Sequence, residues 1–282
     1  MRTTFHRRST ALFAALAFTV AACADDGDDA ETPDDDTEAP DDAADADGEA
    51  AGELELVADG ALTVCSDVPY PPFEFEDADA PSGYAGFDMD LVQEIADRLD
   101  VELSVVETGF DALESGAALA AGQCDLAASA MTITPERAEN LTFSEPYYEA
   151  QQSLIVLEDG DIEALTDVTG SLGVQGNTTG AEFATENAPD GVEIVEYPSG
   201  PDLFSAMLAG QVEAGLQDFD VNALRVQEDD RFAIVEEFAT GEEYGLAAAR
   251  DADDLMGAID EALATIVDDG TYDEIFERYF GA

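Results

Sequence analysis

Within "MTITPERAENLTF", Met131 to Phe143, Arg137 stands where an arginine can bind an anion. The segment "AASAM" reads as the end of a strand, and "TITPER" reads as a helix start with Thr134 as N-cap and Pro135 as the first helical residue. A helix N-terminus offers unpaired N–H groups and a positive dipole end. An arginine in that first turn adds a planar fork of donors that matches a carboxylate. Cations are mildly unfavourable at helix N-termini, so this one needs a partner. Two roles are open at this point: a carboxylate-binding group, or a surface ion pair with Glu136, Glu139 or Glu145.

Little other chemistry is open to the chain. Residues 1–22 have the layout of an export signal, with Arg2, Arg7 and Arg8 followed by the apolar "ALFAALAFTVAA". The run is too short for a membrane span, which takes about 20 residues. "VAAC" resembles a bacterial lipobox, which implies cleavage before Cys23 and a lipid on that residue. The signal holds three of the nine basic residues and the single histidine, His6, and the protein has no Lys and no Trp. The mature chain therefore lacks a Ser-His or Cys-His nucleophile, a Schiff-base lysine and a His-ligated zinc site. "GNTTG" lacks the lysine of a phosphate-holding loop. "DFDVNALRVQED" half-matches a calcium loop, with Ala223 in place of the required Gly and Asp229 in place of the closing Glu. "DADGEAAGE" lacks the first and last ligands of the same pattern. No metal, cofactor or catalytic residue is expected.

Residues 24–53 carry 15 of the 67 acidic residues and no large apolar side chain. With Cys23 at its head, this stretch is expected to be a solvated, disordered tether. From Leu54 onward 52 acidic residues face six arginines, a balance of −46. Such a surface repels nucleic acid and anionic membrane. It also repels itself, and at about 1 M salt the Debye length of roughly 3 Å removes most of that penalty. A host living at high salt is expected. Cys65 and Cys124 remain after Cys23; an even pair in an exported chain favours a disulfide over two buried thiols.

The elements that must position these groups alternate strand and helix. "LTVCS" is strand-like, "FDMDLVQEIADRL" sets Phe87, Leu91, Ile95 and Leu99 on one helical face, "VELSVVE" alternates as a strand, "DALESGAALAA" reads as one helix and "CDLAASAM" as a short strand. A second series follows with "YYEAQQSLIVLE", "SLGVQ", the helix "TTGAEFATENA", "VEIVEY", the helix "PDLFSAMLAG" and "AGLQD". The last helix opens on a capping box, Thr271 to Glu274, and places Tyr272, Ile275, Phe276, Tyr279 and Phe280 on one face. Asp88 reads as a cap of the helix that follows it. Two such series imply an α/β protein of two lobes, with ligands taken outside the carboxyl ends of strands or between the lobes.

The blocks "SDVPYPPFEFED", "GFDMDLVQEIADRL", "CDLAASAMTITPER", "FSEPYYEA" and "GTYDEIFERYFG" occur in order between Ala61 and Gly281. Together they resemble the bacterial solute-binding proteins of family 3, receptors that deliver polar amino acids to ABC importers. The resemblance implies the two-lobed, type II periplasmic-binding-protein-like fold, each lobe a mostly parallel sheet flanked by helices. It divides the chain into 54–150 for the first part of lobe 1, 151–245 for lobe 2 and 246–282 for the return to lobe 1, with crossing strands near Tyr148–Val156 and Glu243–Ala249. By the same resemblance Arg137 holds a ligand α-carboxylate with Thr132 and, from the other lobe, Thr178 and Thr179. Asp218 of "LQD" pairs with the α-ammonium beside Ser129 and Ala130. Tyr70 and Phe110 flank the side chain, and Asp67 lies at the polar end.

Gln175 and Gln217 stand where glutamine binders can carry Lys and His, so the acids lean towards a basic or other polar amino acid. The expected protein is a lipid-anchored, non-catalytic, monomeric receptor on the outer face of the cytoplasmic membrane, serving an ABC permease. The alternatives are a binder of an ectoine-type compatible solute and a dehydratase on the same fold that uses Asp67 or Asp88.

Overall fold

The computed structural model describes residues 54–281. The expected signal (1–22), Cys23 and the acidic tether to residue 53 lie outside the described residues. The first half runs β1 (Ala61–Ser66), a small hairpin of β2 (Phe75–Glu76) and β3 (Tyr84–Ala85), α1 (Phe87–Arg98), β4 (Glu102–Glu107), α2 (Phe110–Glu114), α3 (Ala117–Ala120), β5 (Leu126–Ala127) and β6 (Leu141–Phe143). The second runs β7 (Tyr148–Leu157), β8 (Ser171–Gln175), α4 (Thr179–Asn187), β9 (Glu193–Tyr197), α5 (Gly200–Leu208), β10 (Ala214–Asp218), α6 (Phe219–Glu228) and β11 (Phe232–Tyr244). The chain ends with β12 (Ala247–Ala249), α7 (Asp253–Asp268) and α8 (Thr271–Phe280).

These elements build two five-stranded sheets, ordered β4-β1-β5-β12-β6 and β11-β7-β10-β8-β9. In each, three strands are parallel (β4, β1 and β5; β10, β8 and β9), as the strand–helix alternation requires. The other two strands of each sheet join antiparallel, so both sheets are mixed. The chain leaves the first sheet after Phe143 and returns to it at Ala247; β7 and β11 lie side by side with Tyr148 opposite Tyr244. The helical face of α1 is buried at Phe87, Leu91 and Ile95, all with zero exposure. Each such burial stabilises by about 1.5–3 kcal/mol.

The terminal helix α8 is amphipathic, as its spacing requires. Phe280 packs 5.1 Å from the ring of Tyr148 and 5.7 Å from Phe73, and Tyr272 Oη donates to the Tyr147 carbonyl at 2.6 Å. The return segment therefore clamps the place where the two crossing strands leave lobe 1. Cys65 at the end of β1 and Cys124 before β5 form a disulfide with a Cα–Cα distance of 5.8 Å.

Three local expectations are corrected. "DALESGAALAA" forms two short helices rather than one, because Gly116 adopts a left-handed conformation, φ +74°, at the break. No capping box forms at Thr271: Gly270, φ +86°, precedes the helix and Thr271 is already its first residue. Asp88 does not cap α1, whose N-cap is Gly86 without a side-chain bond; its carboxylate turns inward instead.

Candidate functional site

Between the sheets lies a narrow cavity of about 20 Å³ whose lining divides evenly. Lobe 1 supplies Asp67, Tyr70, Phe110, Ser129, Ala130, Thr132 and Arg137; lobe 2 supplies Gln152, Gln175, Thr178, Thr179, Gly180, Gln217 and Asp218. All ten residues singled out in the sequence face this one cavity. They arrive from strand ends and the turns that follow: Asp67 and Tyr70 after β1, Ser129 to Thr132 after β5, Thr178 and Thr179 after β8, Asp218 at the end of β10.

Arg137 is 6% exposed, and among the described residues no carboxylate oxygen lies within 4.0 Å of it. The ion pair with Glu136, Glu139 or Glu145 is therefore not formed. Arginines 98, 225, 231 and 278 all have acidic partners, and Arg250, which has none, is exposed. The Arg137 guanidinium donates to the Thr132 carbonyl from Nη1 at 2.8 Å and to the Asn177 carbonyl from Nη2 at 3.1 Å. It also sits 5.2 Å from the centroid of Phe110. Burial presses its pKa downward, and the more distant charges of Glu114, Glu182, Asp218 and Glu242 oppose this. A buried cation bonded only to neutral carbonyls can still take an anion.

The expected helix at "TITPER" is only a single 3₁₀ turn, Arg137–Glu139, although Thr134 Oγ1 does accept the Arg137 N–H at 3.2 Å. One turn carries little dipole. A helix N-terminus that does reach the cavity belongs to lobe 2: α4, capped by Thr178, whose Oγ1 accepts from Ala181 N–H at 3.1 Å. Its first turn, Thr179 and Gly180, lines the cavity.

Asp218 provides the opposite charge. Its Oδ2 accepts from Tyr70 Oη across the cleft at 2.5 Å, and its Oδ1 accepts from Gln152 Nε2 at 2.7 Å. Burial and then the charge of Glu242 push its pKa up to about 7; the bonds from Tyr70 and Gln152 hold it from rising further. Asp67 accepts from Gln175 Nε2 at 2.7 Å, and burial raises its pKa as well. Thr132 and Thr179 hydroxyls lie 3.3 Å apart across the cleft, and both meet Glu242 Oε2, at 2.8 and 2.6 Å. Ala130 is held at φ +43°, which costs about 1–3 kcal/mol without a glycine; Asp88 Oδ2 accepts its N–H at 2.8 Å. The cleft is thus drawn shut, with the cation Arg137 on lobe 1 facing Asp218 and Glu242 on lobe 2.

The sequence reading did not pick out Gln152, Gly180 or Glu242. A side chain at position 180 would place its Cβ 2.8 Å from Gln152 Oε1, so Gly180 leaves the room that Gln152 fills. Gln152 is visible in hindsight as a polar residue in the mostly apolar run of β7, where it is 1% exposed. Glu242 has no such signal, because acids are everywhere in β11.

The family model of the bacterial extracellular solute-binding proteins, family 3, matches residues 62–282. The chain belongs to that family. As a family 3 solute-binding protein it is a binding protein and not an enzyme. Its relatives include the histidine-binding periplasmic protein of Salmonella typhimurium, 31% identical over 78% of this chain and 87% of that one. The lysine/arginine/ornithine-binding periplasmic protein of Escherichia coli strain K12 is also 31% identical, over 76% of this chain and 85% of the relative. Among solved structures, an ancestral arginine-binding protein bound to arginine superposes with a TM-score of 0.72 at 34% identity, covering 78% of this chain and 98% of the other. The two-lobed type II architecture of this solute-binding protein is therefore that of amino-acid receptors. Among its described residues no helix is long and apolar enough to cross a membrane.

Proposed function

We propose that this chain captures a polar amino acid as a zwitterion between its lobes and presents it to the permease of an ABC importer. Arg137, aided by Thr132 and the first turn of α4, holds the α-carboxylate. Asp218 holds the α-ammonium beside Ser129 and Ala130, and Tyr70 and Phe110 flank the side chain. The observation that carries this reading is Arg137, a buried guanidinium without an acidic partner among the described residues, lining the same cavity as the half-buried carboxylate of Asp218. A zwitterion supplies what each lacks, and a closed cleft of low dielectric strengthens both contacts.

Asp67, Asp218 and Glu242 outnumber the single cation here, which supports a basic side chain lying towards Asp67. The relatives named for histidine and for lysine, arginine and ornithine support the same class. The dehydratase alternative loses one of its two acids, since Asp88 is turned away from the cavity into Ala130 and Tyr147. Export and a lipid on Cys23 would hold the receptor at the outer face of the cytoplasmic membrane. The acidic surface suits a medium of high salt.

A thermal-shift and calorimetric panel of the twenty amino acids, ornithine and ectoine, run at high salt, tests the reading. Arginine, lysine, ornithine or histidine should raise the melting temperature most. Preference for ectoine, or no response to any amino acid, would overturn it. Melting the ligand-free protein over a salt series tests the acidic surface, and a flat or falling profile would count against a high-salt setting.

A further inference from the structure

Glu74 and Asp88 are both buried with zero exposure, immediately behind the floor of the cleft. Each uses one carboxyl oxygen. Glu74 Oε1 accepts from Ser129 Oγ at 2.5 Å, while Asp88 Oδ2 accepts from the Ala130 N–H and from Tyr147 Oη, both at 2.8 Å. The other oxygen of each, Glu74 Oε2 and Asp88 Oδ1, is buried and has no partner among the described residues. The backbones that carry them are in contact: Asp88 N–H donates to the Phe73 carbonyl at 3.0 Å. The approach is close enough that a Cβ on Gly86 would stand 2.8 Å from Glu74 N.

Two bare carboxylates within reach of each other's charge in a buried setting repel, and an unpartnered buried oxygen on each adds a desolvation penalty. Among the described residues no cation pairs with either carboxylate. The titratable groups whose charges act on the pair are Asp67 and Asp218 towards the cleft, with Tyr70, Tyr147 and Tyr272 around it. One proton placed between the two unpartnered oxygens satisfies both at once.

We propose that Glu74 and Asp88 share a single proton, carried on Glu74 Oε2 and donated to Asp88 Oδ1. The resulting acid–carboxylate pair is the positioning element that holds Ser129 and Ala130 in the cavity floor. The proton belongs on Glu74 because Asp88 already receives an N–H and a phenol O–H, which stabilise its charge, whereas Glu74 receives one hydroxyl. Burial raises the pKa of both groups. On Glu74 the charge of Asp88 adds to the effect, and on Asp88 the two donors oppose it. The pair stands behind the ligand rather than in contact with it, so the inference does not depend on which solute is bound.

The sign of the pH dependence follows. With its pKa raised by folding, Glu74 keeps a proton that the unfolded chain releases above its ordinary value of 4.5. The stability it contributes is therefore complete in acid and lost as pH rises towards the folded value. Between those limits one retained proton changes the unfolding constant by about tenfold per pH unit.

The experiment compares wild type, Glu74→Gln, Asp88→Asn and Asp218→Asn, the last removing the other carboxyl that titrates near neutrality. Infrared spectra at neutral pH read the carbonyl stretch of a protonated carboxyl group, and urea unfolding is measured from roughly pH 5 to roughly pH 9. An amide at either position supplies the missing donor permanently. The protonated-carboxyl band should therefore persist in Asp218→Asn and vanish when Glu74→Gln or Asp88→Asn is added to that variant, where the proton of Asp218 no longer contributes. Glu74→Gln should lose about one proton's worth of pH slope in its unfolding constant. Should either amide variant fail to fold, the other one and the Asp218→Asn spectrum decide. Absence of the band in Asp218→Asn, its survival in a folded amide variant that also carries Asp218→Asn, or a pH slope in Glu74→Gln equal to wild type would overturn the shared proton.

Discussion

Replacing Arg137 with methionine keeps the unbranched stem of the side chain but removes the guanidinium, and with it the charge and the contact with Phe110. In the ligand-free protein the guanidinium makes two hydrogen bonds, to Thr132 and Asn177 carbonyls. Bonds to a charged group contribute about 1.5–3 kcal/mol each. Against them stands the burial of an unpaired cation at 6% exposure, an effective penalty of several kcal/mol. These terms nearly cancel, so ligand-free stability should change by less than about 1 kcal/mol in either direction. With an amino acid bound the balance differs, since the substitution strands a buried carboxylate. That costs about 2–5 kcal/mol, or roughly thirtyfold to a few thousandfold in Kd. Calorimetric titration with the amino acid that wild type binds best reads the second quantity, and urea unfolding without ligand reads the first. Both should hardly depend on ionic strength, because salt screens exposed charges far more than buried ones. A Kd within about threefold of wild type would refute the carboxylate anchor. A ligand-free loss beyond about 3 kcal/mol would make Arg137 a structural tie between the lobes instead.

Further expectations concern the other anchor and the frame. Because folding raises the pKa of Asp218 to about 7, a ligand ammonium must displace its proton below that pH; affinity should fall by up to about tenfold per pH unit on the acid side, and Asp218→Asn should flatten the calorimetric profile. The same raised pKa means that the ligand-free protein loses stability from this group as pH rises from its ordinary value of 3.8 through about 7. Replacing Cys65 and Cys124 together with alanine opens a link across a sequence separation of 59; the chain-entropy treatment puts the loss at about 4 kcal/mol, read as a lower urea midpoint. Gly86→Ala should cost more than about 3 kcal/mol by the same assay, since φ is +124° and the new Cβ would lie 2.2 Å from the Phe73 carbonyl oxygen.

What could be read from the sequence tracks scarcity and local pattern. Arg137 stood out because only six arginines follow Leu54, and the alternation of strand and helix predicted the parallel core of each sheet. The antiparallel additions left no local mark: β12 is three residues of alanine whose partners, β5 and β6, come about a hundred positions earlier. Gln152 and Glu242 enter the site through pairing of β7 with β10 and β11, a non-local register that no motif spells out. Asp88 looked like a helix cap because its position suits one. Gly86 took that role, and the tight approach of the Phe73–Glu74 backbone turned Asp88 inward. Where glycine supplied a left-handed turn, at Gly116 and Gly270, simple helix patterns failed for the same reason.

The placement of β12 also dictates an order of assembly. All five strands of the second sheet lie between Tyr148 and Tyr244, so that sheet is complete while the tail is still absent. The first sheet is not: β6 has no neighbour until β12 arrives, and the aromatic face around Phe73 and Phe87 waits for Phe280 of the last helix. A chain emerging N-terminus first can therefore finish its second lobe before its first. Cys65 and Cys124, both present early, can already have joined the open half while it waits for its final thirty-odd residues.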